Sequence, residues 1–148
     1  MNPVIRLARQ ADHAAMLDLW ERAVRATHAF LTEEDIAALR PQVWQGFTAE
    51  GLQWWVICGD DGRPAGFLAY TPGCIEGLFI DPYCHRRGLG TLLVGHARHL
   101  ADGPLRLDVN EGNPGAIAFY QAQGFTVTGR SPTDAEGRPF PVLHMRRG

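Results

Sequence analysis

The 148-residue chain contains no lysine: all 14 of its basic residues are arginine. This excludes a lysine nucleophile and Schiff-base chemistry, and it leaves no side-chain amine on which the chain could itself be acylated. Net charge is scarce as well, at -2. No broad basic field exists to attract nucleic acid or anionic lipid, and neither is expected as a partner. Cysteine is limited to Cys58, Cys74 and Cys84, odd in number, widely spaced and without a Cys-x-x-Cys pair. That usage suits reduced thiols in a cytoplasmic protein better than a disulfide framework. Cys84 and His85 stand near His96 and His99, which raises zinc as a question, but without paired cysteines the expectation is no metal. No window approaches the roughly 18 continuous apolar residues of a membrane span, and the start lacks the charged and then apolar run of a signal peptide. Repeats, low-complexity tracts and linkers are also missing, so residues 1–148 are expected to form one domain.

What is present is ample apolar content, 45% of residues, with 9% aromatic, enough for a core at this length. Residues 4–8 suggest a strand. Met16, Leu19, Trp20, Ala23 and Val24 then recur at helical spacing behind an N-cap at Asp12. Thr32 to Asp35 resembles a capping box opening a second helix, which Pro41 should break into two pieces. Residues 53–58 and 65–70 flank Asp60-Asp61-Gly62-Arg63 as a hairpin. A strand over 75–80 leads to an amphipathic helix beginning near Gly88. Leu105, Leu107 and Val109 alternate as a strand. Asn113-Pro114 starts a helix that ends at Gly124, and residues 125–128 and 140–145 close the pattern. The fold class is therefore mixed α/β (α+β): a central, mostly antiparallel sheet of about six or seven strands flanked by about four helices.

The segment Cys84-His85-Arg86-Arg87-Gly88-Leu89-Gly90-Thr91 lies where a strand gives way to a helix. Glycines there let unpaired backbone N–H groups approach a phosphate, the helix dipole adds to their pull, and Arg86 and Arg87 supply local positive charge. It is not a Walker loop, since no Gly-Lys-Ser/Thr follows, and Leu93 stands where a dinucleotide fingerprint needs its third glycine. A nucleotide-like diphosphate and an ordinary glycine turn before a core helix both remain open on this motif alone.

The order of elements decides between them, because together with the turn it resembles the GNAT acetyltransferase superfamily. That family's pattern, Gln or Arg, two residues, Gly, one residue, Gly or Ala, matches residues 85–90 except that His85 replaces Gln or Arg. Asn113-x-x-Ala116-x-x-Phe119-Tyr120-x-x-x-Gly124-Phe125 looks like its later helix and following strand. Residues 25–28 (Arg-Ala-Thr-His) and 137–141 (Gly-Arg-Pro-Phe-Pro) look like a YjaB-like bacterial branch. The resemblance implies an acetyl-CoA-dependent N-acetyltransferase, with the coenzyme pyrophosphate on the N–H groups of Arg86, Arg87, Gly88, Leu89, Gly90 and Thr91, and with His85 beside them among the coenzyme-binding residues. Leu78, Phe79 and Ile80 would pair through backbone with the pantetheine arm, as an added strand does, and one of their N–H groups would hold the oxyanion. Asn113 would contact the same arm, or serve only as a helix cap.

In this family an acceptor amine attacks the thioester directly in a ternary complex, and the departing thiolate takes a proton. Tyr120 is the candidate acid. Donation from a phenol near pKa 10 to a thiol near 8.5 is only mildly uphill. The alternative is that it simply packs with Phe119. Glu76 and His28 are candidate bases, set against a solvated edge carboxylate and a structural histidine respectively. Trp20, Phe30, Trp55 and His144 either line an acceptor pocket or fill the core. Asp134 and Glu136, in the loop after Ser131, either guide a cationic acceptor or face solvent. The acceptor is expected to be a small-molecule or peptide amine. A non-catalytic acyl-CoA-binding module is the competing function, and Trp44, Trp54 and Trp55 raise a homodimer as a further possibility.

Overall fold

A computed structural model describes residues 2–84 and 87–148. Seven strands form one sheet in the order β1-β2-β3-β4-β5-β7-β6. They are β1 (Val4–Leu7), β2 (Gln53–Cys58), β3 (Pro64–Thr71), β4 (Cys74–Ile80), β5 (Leu105–Asn110), β6 (Thr126–Ser131) and β7 (Val142–Arg147). Helices α1 (His13–Thr27), α2 (Glu33–Gly46), α3 (Leu89–Leu100) and α4 (Pro114–Ala122) pack on its faces. Every pairing is antiparallel except β4 with β5. The β2–β3 hairpin turns where the Asp-Asp-Gly-Arg signature predicts. Gly62 N–H donates to the Gly59 carbonyl and Arg63 N–H to Asp61 Oδ1.

Two apolar clusters sandwich the sheet. On one face Met16, Leu19, Trp20 and Val24 of α1, with Ile36 of α2, cover Val56 and Phe67. On the other, Leu89, Leu93, Val94 and Ala97 of α3 and Tyr120 of α4 cover Leu68, Ile75, Leu107 and Met145. Each fully buried side chain of this kind contributes about 1.5–3 kcal/mol. Strand β5 alternates accordingly: Leu105, Leu107 and Val109 are buried and Arg106 and Asp108 are exposed. No residue of β5, β6 or β7 belongs to the α1–α2 cluster. The polar face of these three strands is therefore turned toward the α1 side without being part of its core.

Three expectations are corrected. Pro41 does not break the second helix, which runs unbroken through it. Pro41 and Ala37, whose carbonyl loses its partner, are both exposed, so water can take up the missing bond. Asp12 does not cap α1 with its side chain. Its carboxylate accepts the Arg9 N–H at 2.8 Å and pairs with Arg6 at 2.7 and 3.0 Å, closing the short 3-10 turn instead. The last two strands begin one and two residues later than their apolar residues suggest, and α4 ends at Ala122.

Candidate active site

Strands β4 and β5 run parallel and pair at only two positions, Cys74 with Arg106 and Ile75 with Leu107. The cause lies on the other side of β4. Tyr70 of β3 pairs with Ile75 and Ala69 with Gly77, so Glu76 is an extra residue, a bulge. A bulge bends its strand, and from this point β4 leaves β5. The two strands form a fork, and β4 beyond Ile75 has no strand partner on that side.

A cavity of about 450 Å³ occupies the fork and reaches both faces of the sheet. Leu78, Phe79 and Ile80 of β4 line it, as do Gly88, Leu89, Gly90 and Thr91 at the start of α3. Asn113, Gly115, Ala116, Phe119 and Tyr120 close the α4 side, and Ala23, Thr27 and His28 the α1 side. The fold thus brings together residues separated by nearly a hundred positions.

Gly88 explains the start of α3. It caps the helix at φ 73°, a left-handed conformation that glycine adopts without penalty. The first intrahelical bond runs from Leu92 N–H to the Gly88 carbonyl, so the N–H groups of Leu89, Gly90 and Thr91 precede any helical acceptor. They carry the positive end of the dipole into the cavity. Gly90 permits close packing, because a Cβ there would lie 3.1 Å from the Phe119 ring. These are the properties of an anion cradle, and they fit a diphosphate. Arg87 lines a separate polar pocket with Arg22, Arg63 and Asp81. His85 and Arg86 lie outside the described residues.

Tyr120 is buried at 7% exposure, and its hydroxyl has no hydrogen-bond partner among the described residues. Burial pushes the phenol well above its ordinary pKa, so it stays protonated, and its donation to a thiolate is more uphill than the ordinary phenol and thiol values imply, which corrects that expectation. Its ring is held between Phe119 and Phe125, with centroids at 5.2 and 5.7 Å. Asn113 caps α4, its Oδ1 accepting the Ala116 N–H at 3.2 Å, and its side chain borders the cavity. His28 sits on the opposite face, where burial holds its imidazole below the usual range. Its Nδ1 is 2.8 Å from Thr27 Oγ1, which in turn donates to the Ala23 carbonyl. Thr27 and Ala23, which the sequence marks only as part of the 25–28 pattern and of the α1 apolar stripe, are therefore the ring's supports. Helical spacing behind His28 was the available signal.

Glu76 does not line the cavity. It accepts a hydrogen bond from Thr71 Oγ1 at 2.8 Å. Of the four aromatic candidates none lines it either. Trp20 is core, and Trp55 packs on His96 at 4.3 Å. Phe30 bridges His28 (5.4 Å) and Phe140 (5.3 Å) beside the mouth. His144 joins Asp108 and Ser131 on the polar face of β5–β7–β6. The loop carboxylate of Asp134 accepts the backbone N–H groups of Glu136 and Arg138, and Glu136 pairs with Arg138. Trp54 is committed internally through a bond to the Gly46 carbonyl, and Trp44 is 47% exposed. Among the described residues no cluster of three or more His, Cys, Asp or Glu is placed to hold a metal, and no helix is long and apolar enough to cross a membrane.

Residues 12–125 match the model of the acetyltransferase (GNAT) family. The peptidyl-lysine N-acetyltransferase YjaB of Salmonella typhimurium is 40% identical over 141 residues, 95% of each chain. The solution structure of apo-form YjaB from Escherichia coli superposes with a TM-score of 0.91 at 36% identity, covering 99% of this chain and 97% of that one. The PaiA N-acetyltransferase of Thermoplasma acidophilum, solved in complex with coenzyme A, shares the fold at a TM-score of 0.80 and 17% identity, over 99% of each chain. The chain belongs to the GNAT family of acetyltransferases and is an acyltransferase.

Proposed function

We propose that the protein transfers an acetyl group from acetyl-CoA to the ε-amine of a lysine in a peptide or protein, by direct attack with both substrates bound. The observation that carries this reading is the cavity through the β4–β5 fork, with a helix N-terminus and a buried phenol toward one face and a histidine-lined mouth toward the other. Such a passage lets two substrates meet in the plane of the sheet. The name shared by the relatives, peptidyl-lysine N-acetyltransferase, supports the choice of acceptor.

In this reading the N–H groups of residues 88–91 and the α3 dipole bind the diphosphate. The free backbone edge of Leu78 to Ile80 pairs with the pantetheine amides, and Asn113 borders the same arm. Acetyl-CoA supplies the acetyl thioester. Tyr120 holds a proton at Oη, in the walls of the cavity, and burial keeps it there across the pH range of the reaction. Phe119 and Phe125 fix the ring and help exclude water. The unpaired cysteines are in keeping with a reducing, cytoplasmic setting.

The test has two parts: calorimetry with acetyl-CoA, and mass spectrometry of an α-amine-blocked peptide carrying one lysine, beside the same peptide with arginine. Binding and a 42-Da gain on the lysine peptide alone are expected from the mass of an acetyl group. Acetylation of free α-amines only would overturn the choice of acceptor, and absence of acetyl-CoA binding would overturn the reading itself. Because the chain has no lysine, no self-acetylation of side-chain amines complicates the spectrum.

A further inference from the structure

His28 closes α1: its N–H donates to the Val24 carbonyl at 2.8 Å as the helix C-cap, and the residue lines the fork cavity. The ring therefore stands near the negative end of the helix dipole. Two short contacts decide where its proton sits. Thr27 Oγ1 lies 2.8 Å from the Ala23 carbonyl oxygen, and two oxygens at that distance need a proton between them, which only the hydroxyl has. Oγ1 is thus left as an acceptor toward His28 Nδ1, also 2.8 Å away. The ring carries its hydrogen on Nδ1, and Nε2 keeps a free lone pair. Nε2 makes no hydrogen bond among the described residues and is reached by solvent, in contrast to His96 Nε2, which is buried without a partner. Phe30 packs edge-on against the ring at 5.4 Å and is itself held by Phe140. Among the described residues that line the cavity there is no carboxylate and no other imidazole.

We infer that His28 is the general base of the acceptor side, taking at Nε2, directly or through one water, the proton that the acceptor ammonium loses before attack; the inference rests on the acetyltransferase reading above. The transfer breaks one N–H bond of the ammonium and makes one at Nε2. The amine nitrogen gains the lone pair that attack needs, and the imidazolium returns the proton to solvent at the mouth. Thr27 is a positioning residue, holding the tautomer. Burial keeps the imidazole neutral near pH 7, so it is a base before the reaction begins, and the end of α1 offsets part of the cost of the charge it acquires. The charged groups around it are engaged with one another. Arg25 on α1 pairs with Glu21 and with Glu33 of α2, Glu111 of the β5–α4 turn with Arg130, and Glu136 of the β6–β7 loop with Arg138. The titratable groups that share the cavity wall with it are Tyr120, which stays protonated, and Cys84. This assignment gives the acceptor side a base other than Glu76, whose carboxylate is bound to Thr71.

The experiment is a pH profile of kcat/KM for the α-amine-blocked lysine peptide, from pH 5 to 10, for wild type and His28→Gln, with acetyl-CoA affinity measured by calorimetry. A lysine amine has a pKa near 10.4, so a base matters most while the amine is charged. For wild type, kcat/KM should fall only below the ordinary imidazole value near 6.5. For His28→Gln it should start about 10²-fold lower at pH 7, climb about tenfold per pH unit and meet wild type near pH 9, with coenzyme affinity unchanged. Nitrogen NMR of the wild-type ring, assigned by its loss in His28→Gln, should show a proton on Nδ1 and none on Nε2 at pH 7. Thr27→Val should disturb that tautomer and lower kcat/KM, and Thr27→Ser should restore both. A His28→Gln profile parallel to wild type, or a wild-type ring with its proton on Nε2, would overturn the assignment while leaving the acetyltransferase reading intact. Wild type that binds acetyl-CoA yet acetylates no amine overturns that reading, and the base with it.

Discussion

Replacing Tyr120 by Phe separates chemistry from architecture, because the hydroxyl has no hydrogen-bond partner among the described residues while the ring is packed on both sides. The hydroxyl borders the cavity and makes no hydrogen bond to the described residues, so its removal should change stability by no more than about 0.5 kcal/mol. The affinity for acetyl-CoA should hold within about threefold, well under the 1.4 kcal/mol of a tenfold change. Turnover should fall by about 10²–10⁴, the range for loss of a positioned acid, or about 2.7–5.5 kcal/mol of barrier. Product is best followed by mass spectrometry, since the chain's three cysteines would react with a thiol reagent. A Phe variant that is at least as stable as wild type and turns over within threefold of it would refute the acid role of the phenol.

Further outcomes follow from other contacts. A Cβ at Gly112 would lie 2.6 Å from the Phe30 ring, so Gly112→Ala should displace Phe30 and raise KM for the acceptor peptide several-fold. The calorimetric affinity for acetyl-CoA should stay the same, and a loss of coenzyme binding would contradict this. Burial holds the imidazoles of His28 and His96 below their usual value, His99 adding to the effect at His96. Between the ordinary value near 6.5 and the lower folded one, the unfolded chain binds protons that the folded chain does not. Stability, read as a urea midpoint, should therefore fall as pH drops from 7.5 to 5.5. His96→Leu, which also removes the partnerless buried Nε2, should flatten that slope, and an unchanged slope would rule out the attribution. Pro41→Ala restores a donor for the Ala37 carbonyl in mid-helix and should raise the unfolding free energy by about 1 kcal/mol or more, read as a higher urea midpoint. A fall would mean that proline's restriction of the unfolded chain dominates.

Much of this architecture is legible along the chain because it is local. The Asn-Pro helix start, the Asp-Asp-Gly-Arg turn and the glycine before α3 each follow from the conformations that a few adjacent residues favour. The cradle and Tyr120 share that legibility, since each sits inside a short pattern. The fork does not. It arises from a register shift between two strands, and nothing in the residue type of Glu76 marks it as the extra one. For the same reason the bulge turns Glu76 away from the cavity that its spacing from Leu78 suggests. Asp108, Ser131 and His144 come from three strands, and only the β5–β7–β6 order aligns them. Pro41 misleads in the opposite sense: the rule it breaks assumes a buried carbonyl, and burial at that point depends on tertiary packing.

The bulge at Glu76 gives the sheet a second pair of borders, in its interior. Peptide groups along β4 beyond Ile75 and along β5 beyond Leu107 are spared from pairing with each other in order to bind something else. A ligand that bridges them acts as an inserted strand, tying the β1–β4 half of the molecule to the β5–β7–β6 half. Occupancy and cohesion are then one event. Amide exchange in both inner borders should slow together on binding, and the thermal transition should rise.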